Sequence, residues 1–501
     1  MKIVHVITRL VVGGAQENTL LNVEDLARMY GDDVTLVIGP DAGPEGTLLE
    51  RPERGGFRLI TVPTLHRELR PGDDWRCYRD LQKLFGELSP QIVHTHSSKA
   101  GILGRAAAAA VGIPCVHTVH GSPFHPWEKG WKNALYKRLE RWAFSKSGHT
   151  ISVCDAMTAQ YTAAGIGTRE NYTTIYSGME LEPFLHPSRS REEMRRELGI
   201  PDDAIVIGKV ARLFELKGHD FLISIAPRLI KHHPRVQFLF VGDGILRTQM
   251  EETIARMGLA NHFHFTGLVP PHTVPHYLQA MDIVVHASLR EGLPRVLPQA
   301  LLSKKPIVAF DLDGSPEVCR HEETGLLVEP ESTDGLLAAI GRLIDNPAWG
   351  ADLAQRGYEL CLPMFDHEEM TRRVRGVYER ILRYKTITAP AASNEDDNRS
   401  SHPKELSTRD PEFRIIAVEK VNSRVFRLSG MVTSGIIEVV HRIVINAETG
   451  NSEEQRTGRI VTIITYDTET DTLPEACTGA ITVEMDRDDV SIVAGDILRP
   501  V

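Results

Sequence analysis

Three charged residues near the ends of apolar segments have the types and spacing needed to hold a sugar and a diphosphate. Arg212 and Lys217 follow the strand-like run IVIGKVA at 205–211. An arginine can fork across two oxygens and a lysine supplies a point charge, so the pair suits a diphosphate. Glu291 follows the apolar run 283–288 and precedes a helical pattern, where a carboxylate can accept hydrogen bonds from polyol hydroxyls. The alternative is solvated surface charge, the commoner fate of such residues.

A glycine pair and several histidines occupy comparable positions in the first part of the chain. Gly13 and Gly14 lie between a strand-like run and a helical pattern, so their backbone can approach a polar or anionic ligand closely. A tight turn alone would also use such a pair. His120 ends the strand-like run CVHTVH, where a histidine is more often a structural hydrogen-bonding group than a catalyst. We predict no metal site, because no separate carboxylate shell accompanies the neighbouring histidines His94, His96, His117 and His125.

The elements that must position these residues form three regions. Strand-like runs alternate with helical patterns over 1–182 and again over 183–365, which predicts two Rossmann-like α/β domains. Residues 366–388 form a final amphipathic helix, predicted to cross back to the first domain. The segment 389–411 is rich in Ser, Asp, Asn and Pro and is predicted to be a disordered linker. Short strand patterns separated by turn residues over 412–501 predict a small closed β-barrel.

The overall composition limits the partners and the location of the protein. A chain of 501 residues exceeds a single core, and a net charge of -10 argues against nucleic acid as the main partner. Six cysteines are scattered without a CxxC pair, which suits reduced thiols in a cytoplasm. The start MKIVHVITRL does not have the pattern of a secretory signal, and no apolar run is long enough to span a bilayer. We therefore predict a cytoplasmic protein with at most peripheral contact with the inner face of a membrane.

The first 386 residues resemble the GT-B glycosyltransferases of family 4, which are retaining enzymes that use nucleotide-activated sugars. Eight segments in the family's order carry the resemblance: VVGGAQENTLLNV, VHTHSSKAGILGRAAA, CVHTVHGSPFH, TTIYSGME, VARLFELKGHD, FVGDG, FTGLV and REGLPRVLPQA. The resemblance implies two Rossmann-like domains facing a cleft, with no metal or other cofactor. The implied reaction moves a sugar from a nucleotide-sugar, expected to be a UDP-sugar, to a glycan or lipid-linked acceptor in polysaccharide or glycolipid synthesis.

The resemblance also implies roles for individual residues. Arg212 and Lys217 are expected to bind the donor diphosphate, and Glu291 to hold hydroxyls of the donor sugar. His120 is expected beside the transferred sugar. The family's second glutamate, which normally binds the ribose, is replaced here by Gln299. An amide keeps an acceptor oxygen but loses the charge, so ribose binding should weaken more than fail.

Further donor contacts are implied in loops that follow strands. The DLD sequence at 311–313 resembles a metal-binding motif of another glycosyltransferase class, but its place in the second domain favours a structural role. Glu317 resembles a family position near the donor site, and capping of a helix N-terminus is an equal alternative. The remaining implied donor contacts are Gly13, Gly14, Leu268, Val269, Leu293, Arg295 and Val296.

Residues 123–146 interleave aromatic and basic side chains in an otherwise acidic chain. Trp127, Trp131 and Trp142 alternate with six lysines and arginines. An amphipathic basic helix with interfacial aromatics can dock on an anionic membrane surface, which would suit a lipid-linked acceptor. The alternative is a helix whose Leu and aromatic face covers the first sheet, with its basic side chains in solvent.

The last 89 residues resemble the second, β-barrel domain of translational GTPases such as elongation factor Tu. The segments FRLSGMVTSGIIEV, TGRIVTII, EACTGAITVEM and VSIVAGDILRP carry this resemblance. The chain has no GxxxxGK[ST] phosphate loop, so no GTP hydrolysis is expected. We interpret the barrel as an interaction or solubility module with an unknown protein partner. Two alternatives to transfer remain: an impaired sugar-nucleotide-binding regulator that acts through the barrel, and a phosphorylase or epimerase on the same fold.

Overall fold

The computed structural model describes residues 1–40, 48 and 55–388, together with strand segments between 412 and 500. Side chains are described as far as residue 383. The chain divides into two units, Met1–Pro390 and Ala391–Val501, and each is described by itself.

The first domain contains a parallel sheet of seven strands. Its strands are short runs rich in valine and isoleucine, and most face protein on both sides, as expected when helices cover both faces of a parallel sheet. They are β1 (Lys2–Ile7), β2 (Asp33–Ile38), β3 (Arg58–Thr61), β4 (Ile92–His96), β5 (Cys115–Val119), β6 (Thr150–Ser152) and β7 (Tyr172–Thr174). Their order across the sheet is β3-β2-β1-β4-β5-β6-β7.

Among the described residues before 180, five helices pack on this sheet. Leu20, Leu21, Val23 and Leu26 give the first helix its buried face, and that helix ends at Gly31 in the left-handed conformation, with φ of 62°. The helices are α1 (Gly14–Tyr30), α2 (Pro71–Leu88), α3 (Ser98–Ala110), α4 (Gly130–Phe144) and α5 (Asp155–Ala163), with a 3-10 turn at Arg169–Asn171.

The second domain repeats this architecture with six parallel strands. They are β8 (Ile205–Val210), β9 (Val236–Val241), β10 (Phe263–Phe265), β11 (Ile283–His286), β12 (Ile307–Phe310) and β13 (Leu326–Val328). Their order is β10-β9-β8-β11-β12-β13. The helices are α6 (Glu182–Leu185), α7 (Arg191–Leu198), α8 (His219–His232), α9 (Arg247–Arg256), α10 (Val274–Ala280), α11 (Val296–Leu302), α12 (Thr333–Asp345) and α13 (Pro347–Met364), with 3-10 turns at Ala260–His262, Pro271–Thr273 and Ser315–Glu317. The prediction of two Rossmann-like domains is confirmed.

Both sheets reverse their strand order at one place, and these places lie where ligands bind in open α/β sheets. The reversal falls between β1 and β4 in the first sheet and between β8 and β11 in the second. Loops at the carboxyl ends of such strands form a crevice. The loops after β1, β8 and β11 carry the predicted Gly13–Gly14, Arg212–Lys217 and Glu291.

The last helix of this unit, α14 (His367–Thr388), packs against α1 of the first domain. Nδ1 of His367 lies 2.7 Å from Oδ2 of Asp25, and Nδ2 of Asn22 donates to Oγ1 of Thr371 at 3.0 Å. The two segments that join the domains run side by side, because the Met179 N–H donates to the Phe365 carbonyl at 2.9 Å. One apolar cluster includes side chains from both domains.

Beyond residue 411 the described segments are strands that pair antiparallel. They are β14 (Glu412–Lys420), β15 (Val425–Ser434), β16 (Ile437–Glu438), β17 (Arg442–Asn446), β18 (Arg456–Thr465), β19 (Thr468–Thr470), β20 (Thr472–Leu473), β21 (Thr478–Met485) and β22 (Ile497–Pro500). The predicted linker at 389–411 lies outside the described residues. The closed barrel predicted over 412–501 stays a prediction.

Within the described residues, no helix has the length and apolar character needed to cross a membrane. The five cysteines whose side chains are described are buried free thiols, as expected of small apolar side chains.

Candidate active site

The loop between β8 and α8 brings Lys217 to the end of β11. Gly218 makes this approach possible: its φ is 73°, and a Cβ there would lie 1.8 Å from the carbonyl oxygen of Ala287. Nζ of Lys217 consequently reaches Oε1 of Glu291 at 2.6 Å. The two charged residues that the sequence separates by 74 positions therefore form one ion pair at the cleft.

Glu291 is held in place by Asp313 from the loop after β12 and by neighbouring residues of its own loop and strand. Its backbone N–H donates to Oδ2 of Asp313 at 2.8 Å. The hydroxyl of Ser288 lies 2.9 Å from Oε1 of Glu291 and 3.1 Å from the carbonyl oxygen of Leu216, and its single proton serves one acceptor at a time. Nε2 of His286 lies 3.5 Å from the same carboxylate oxygen, too far for a strong hydrogen bond.

The carboxylate of Glu291 is ionised at neutral pH despite its burial. Burial raises the pKa of this carboxyl, but the attraction of Lys217 and the contact with His286 outweigh it and hold the pKa well below its usual range. The Glu291 and Lys217 side chains are 22% and 19% exposed, so the pair can be reached from the cleft. An ionised, oriented carboxylate of this kind can accept hydrogen bonds from sugar hydroxyls.

Arg212 lies on the same loop, and its guanidinium is 5.0 Å from the ring centre of Phe214. Its side chain is exposed, as a diphosphate-binding group must be before a ligand arrives.

Beneath the loop, Lys209 is fully buried and its ammonium has no hydrogen-bond partner among the described residues. Burial, with repulsion from Lys217, lowers the pKa of Lys209 to about 7.

The segment 290–296 extends across the cleft to the first domain. Nη2 of Arg290 donates to the Ser122 carbonyl at 2.9 Å, and Nη1 of Arg295 donates to the Gly14 carbonyl at 3.0 Å. Nη1 of Arg295 also lies 3.1 Å from Oε2 of Glu17.

Gly292 is needed within this segment because, as at Gly218, the backbone closely approaches a carbonyl oxygen of another segment. A Cβ on Gly292 would lie 2.4 Å from the carbonyl oxygen of His120, so only glycine allows the segment to approach so closely. The structure therefore brings Gly14 and His120 of one domain next to the loop that carries Glu291.

His120 is neutral in this setting. Burial and the charge of Arg295 lower its pKa to about 3. Nε2 of His120 lies 3.1 Å from Nδ1 of His96, and the residue as a whole is partly exposed. The ring is therefore a neutral hydrogen-bonding group at the cleft.

The remaining predicted donor contacts divide into two groups. Leu293, Val296 and Gln299 lie in or directly before α11, in the continuation of the Glu291 loop. Leu268 is 54% exposed after β10, whereas Val269 packs against the core. The described contacts do not link Leu268 or Val269 to Glu291 and Lys217.

Glu317 caps a helix of the opposite domain. Its carboxylate oxygens accept from the backbone N–H groups of Asp155 and Ala156 at 3.0 and 2.9 Å, and Oη of Tyr176 donates to Oε2 at 3.0 Å. Of the two alternatives for this residue, the capping role is the one observed. The capped helix, α5, belongs to the first domain, so Glu317 also joins the two domains across the cleft.

Sequence reasoning missed several residues that support the site. The structural role predicted for the 311–313 loop agrees with the bond from the Glu291 N–H to Asp313, but the sequence did not indicate that this bond supports Glu291. Ser288 was missed although it lies three positions before Glu291, in the same loop after a strand, which is a usable signal. Lys209 was missed because a lysine inside a strand pattern is ordinarily solvent-facing.

Comparison with known proteins agrees with this architecture. Residues 13–178 match the glycosyl transferase 4-like domain, and residues 190–360 match the glycosyl transferases group 1 family. The chain belongs to the group 1 glycosyltransferases, and the predicted glycosyl transfer from a nucleotide-sugar is confirmed at the level of the family.

Particular relatives extend the comparison. The chain is 30% identical over 356 residues to the UDP-Gal:alpha-D-GlcNAc-diphosphoundecaprenol alpha-1,3-galactosyltransferase of Escherichia coli, covering 69% of this chain and 88% of the relative. It is 26% identical over 293 residues to the 2-deoxystreptamine glucosyltransferase of Streptomyces kanamyceticus, covering 56% of this chain and 74% of the relative. The crystal structure of Anabaena Alr3699/HepE in complex with UDP shares the fold, with a TM-score of 0.62, 23% identity, and coverage of 76% of this chain and 100% of that one.

Proposed function

We propose that the protein is a retaining, metal-independent transferase that moves a sugar from a UDP-sugar to a glycan or lipid-linked acceptor. The observation that carries this proposal is the Lys217–Glu291 pair, whose glutamate lies in the loop segment that contacts His120 and Gly14 across the cleft. The names of the Escherichia coli relative and of the Anabaena complex support a UDP-linked donor. The Escherichia coli relative also supports a lipid-linked acceptor, whereas the Streptomyces relative is named for 2-deoxystreptamine.

The donor is held by the second domain in this proposal. Arg212 and Lys217 bind the diphosphate, and Glu291 accepts hydrogen bonds from the sugar. An ammonium has three N–H groups, so Lys217 can keep its bond to Glu291 while donating to a phosphate oxygen. Gln299 accepts from the ribose, and Leu268 contacts the base with its exposed side chain.

The reaction takes place on one face of the sugar. The bond between the anomeric carbon and the diphosphate oxygen breaks, and the acceptor oxygen bonds the same carbon from the same side. The proton of the acceptor hydroxyl passes to the leaving diphosphate. Arg212 and Lys217 stabilise the charge on that leaving group, which is the task a metal would otherwise perform. Gly13, Gly14 and His120 line the opposite side of the cleft.

A donor and acceptor panel tests this proposal. We expect mass spectrometry to detect transfer from a UDP-sugar, and NMR of the product to show the donor's anomeric configuration. EDTA should leave the rate unchanged. An inverted product would disprove retention, and a loss of activity with EDTA that added metal restores would disprove metal independence. Binding of a sugar nucleotide without turnover on any acceptor would instead support the regulatory alternative.

We also propose peripheral membrane contact through residues 123–146. Trp127, Trp131 and Trp142 are 41%, 66% and 47% exposed, whereas Tyr136 and Phe144 of the same segment pack against the core, so the segment has both an inward aromatic face and exposed tryptophans. Nζ of Lys132 lies 6.0 Å from the ring centre of Trp131, which places basic and aromatic groups on one surface. Exposed tryptophans among lysines suit the interface of an anionic bilayer.

Vesicle sedimentation tests the membrane proposal. We expect the protein to bind vesicles that contain anionic lipid more strongly than zwitterionic vesicles, and the double variant Trp131→Ala and Trp142→Ala to lose most of that binding. Trp75→Ala is the matched control, because this side chain is 62% exposed on α2. Equal binding by the double variant and the control variant would exclude this surface.

For the last segment we propose a β-barrel that binds a protein partner. The support is the pairing of β17 with both β18 and β22, which would close the sheet on itself. The transfer reaction is assigned wholly to residues before 390, so removal of 391–501 should leave the specific activity unchanged. A loss of transfer by correctly folded residues 1–390 would contradict this division of roles.

A further inference from the structure

A continuous row of hydrogen bonds runs from His120 into the interior of the first domain. Nε2 of His120 lies 3.1 Å from Nδ1 of His96, and Nε2 of His96 lies 3.0 Å from Nδ1 of His5. Nε2 of His5 lies 3.2 Å from Oη of Tyr378 on α14. The row thus connects the cleft with the helix that returns from the second domain.

The row continues beyond Tyr378 to a hydroxyl group. Oη of Tyr378 lies 2.5 Å from Nδ1 of His94, and Nε2 of His94 lies 2.7 Å from Oγ1 of Thr118. We call these six residues the histidine row: His120, His96, His5, Tyr378, His94 and Thr118. Every histidine in the row except His120 uses both ring nitrogens within it.

All four imidazoles in the row are neutral. Burial lowers the pKa of His5 to about 3, and burial with the charge of Arg295 lowers that of His120 to about 3. Burial, with repulsion between the rings, lowers the pKa of His94 and His96 well below the usual value. A neutral imidazole has one N–H and one acceptor nitrogen, so each ring passes the bond direction on, and the Tyr378 hydroxyl does the same when its single proton is donated within the row.

The Thr118 end sets that direction. Among the described contacts, His94 is the partner of the buried Thr118 hydroxyl, so the hydroxyl proton is used only if it is donated to Nε2 of His94. His94 then donates from Nδ1 to Tyr378, and Tyr378 donates to Nε2 of His5. His5 in turn donates from Nδ1 to Nε2 of His96, and His96 donates from Nδ1 to Nε2 of His120. His120 is left with its proton on Nδ1.

We propose that the histidine row fixes the Nδ1–H tautomer of His120 and so makes its exposed nitrogen a hydrogen-bond donor toward oxygen atoms of a bound sugar nucleotide. Nδ1 of His120 has no protein partner among the described residues, so it is available to a ligand. The other five members act through His120 and are positioning residues. The proposal rests on the proposed function, because it makes His120 a hydrogen-bond donor toward the bound sugar nucleotide.

Mutual hydrogen bonding explains this cluster better than a bound metal ion. One nitrogen from each of His5, His94 and His96 lies within 4.8 Å of the others, which is compatible with a shared ion. However, the planes of the His5 and His96 rings differ by only 13° and their centroids are 5.2 Å apart, so Nδ1 of His5 and Nε2 of His96 meet edge to edge in a hydrogen bond. Their nitrogens are already bonded to one another, to Tyr378 and to Thr118.

Tyr378→Phe tests the row because it removes only the hydroxyl at its centre. Nitrogen-15 NMR of histidine-labelled full-length protein reports each tautomer, and His120→Gln identifies the His120 signals. We expect the Nδ1–H tautomer in the wild type and a mixture of tautomers in Tyr378→Phe, because His5 then loses its donor. Tyr172→Phe is the matched control: its hydroxyl donates to the Ile166 carbonyl at 2.6 Å outside the row, and its removal should leave the His120 signals unchanged.

Kinetics give a second measurement. We expect Tyr378→Phe to lower kcat about tenfold with KM within twofold, and Tyr172→Phe to change neither. An Nε2–H tautomer of His120 in the wild type, unchanged His120 signals in Tyr378→Phe, or a shift of the row's signals on addition of Zn²⁺ would each overturn the proposal. If no donor is turned over but the tautomer behaves as expected, the proposed function fails while the row's control of His120 stands.

Discussion

Replacing Lys217 with methionine removes one cation from the site while keeping a side chain of similar length. In the structure Nζ of Lys217 lies 2.6 Å from Oε1 of Glu291. The ammonium faces the diphosphate in the proposed mechanism and also neutralises a carboxylate. We therefore expect two separable losses, one in catalysis and one in stability.

The catalytic loss from Lys217→Met should be the larger. A preorganised donor aimed at developing charge is worth about 3–4 kcal/mol, so kcat should fall about 100- to 1000-fold. The paired side chains of Lys217 and Glu291 are 19% and 22% exposed, so water screens their attraction in part. The cost in unfolding free energy should lie between that of an exposed pair and that of a buried pair, at about 1–2 kcal/mol.

The stability loss should depend on pH in a defined direction. Burial raises the pKa of Glu291, but Lys217 and His286 outweigh it and hold the pKa below its usual range. A carboxyl with a depressed folded pKa stabilises the fold above its unfolded pKa of about 4.3, and this contribution is lost as the pH falls. The difference in unfolding free energy between wild type and Lys217→Met should be largest near pH 7 and shrink below about pH 4.

Two measurements check this reasoning. Transfer is followed by mass spectrometry at saturating donor and acceptor, and unfolding by urea at pH 7 and about pH 3, which lies below the unfolded pKa of the carboxyl. Lys231→Met is the control, because Lys231 is an exposed lysine on α8, and it should change neither quantity. Near-normal turnover by Lys217→Met would refute the diphosphate assignment. An equal stability loss at both pH values would refute the role of the ion pair.

Two further substitutions test the loop around this pair. Lys209→Met should stabilise the protein, because the fall of the Lys209 pKa from 10.5 to about 7 corresponds to roughly 4–5 kcal/mol against its charged form. Above pH 7 the folded protein loses the Lys209 proton while the unfolded chain keeps it, so the unfolding free energy of the wild type should rise with pH. The advantage of Lys209→Met, measured by urea unfolding, should therefore shrink between pH 7 and 9. Gly218→Ala should lower the unfolding free energy by about 2–5 kcal/mol, since its Cβ would lie 1.8 Å from the Ala287 carbonyl. A circular-dichroism melt matching wild type would contradict that clash.

Much of the fold follows from sequence pattern. The apolar runs that become β8, β9, β11 and β12 are fully visible in the sequence, because both faces of a parallel sheet are buried. The strands β3 and β6 are short, and β3 is only half-buried, so the apolar signal that the sequence offers there is weak.

The long-range contacts of the site could not be predicted in the same way. Lys217 and Glu291 were each predicted from their loops, but their pairing depends on the close approach at Gly218. The histidine row depends on sheet register, because His5 lies opposite His94 in neighbouring strands. It also depends on α14 returning Tyr378 to a position 284 residues from His94 in the chain. No local pattern specifies such contacts.

From the contacts across the cleft, we propose that one segment controls both sugar binding and closure. Arg290 and Arg295 on either side of Glu291 bond the first domain, and Gly292 allows contact with His120. In this proposal a donor that enters between the domains rearranges these bonds. The same segment then presents Glu291 to the sugar opposite His120, so excluding water and completing the site become a single event. This coupling explains why the carboxylate lies on a loop that spans the cleft and not on a strand.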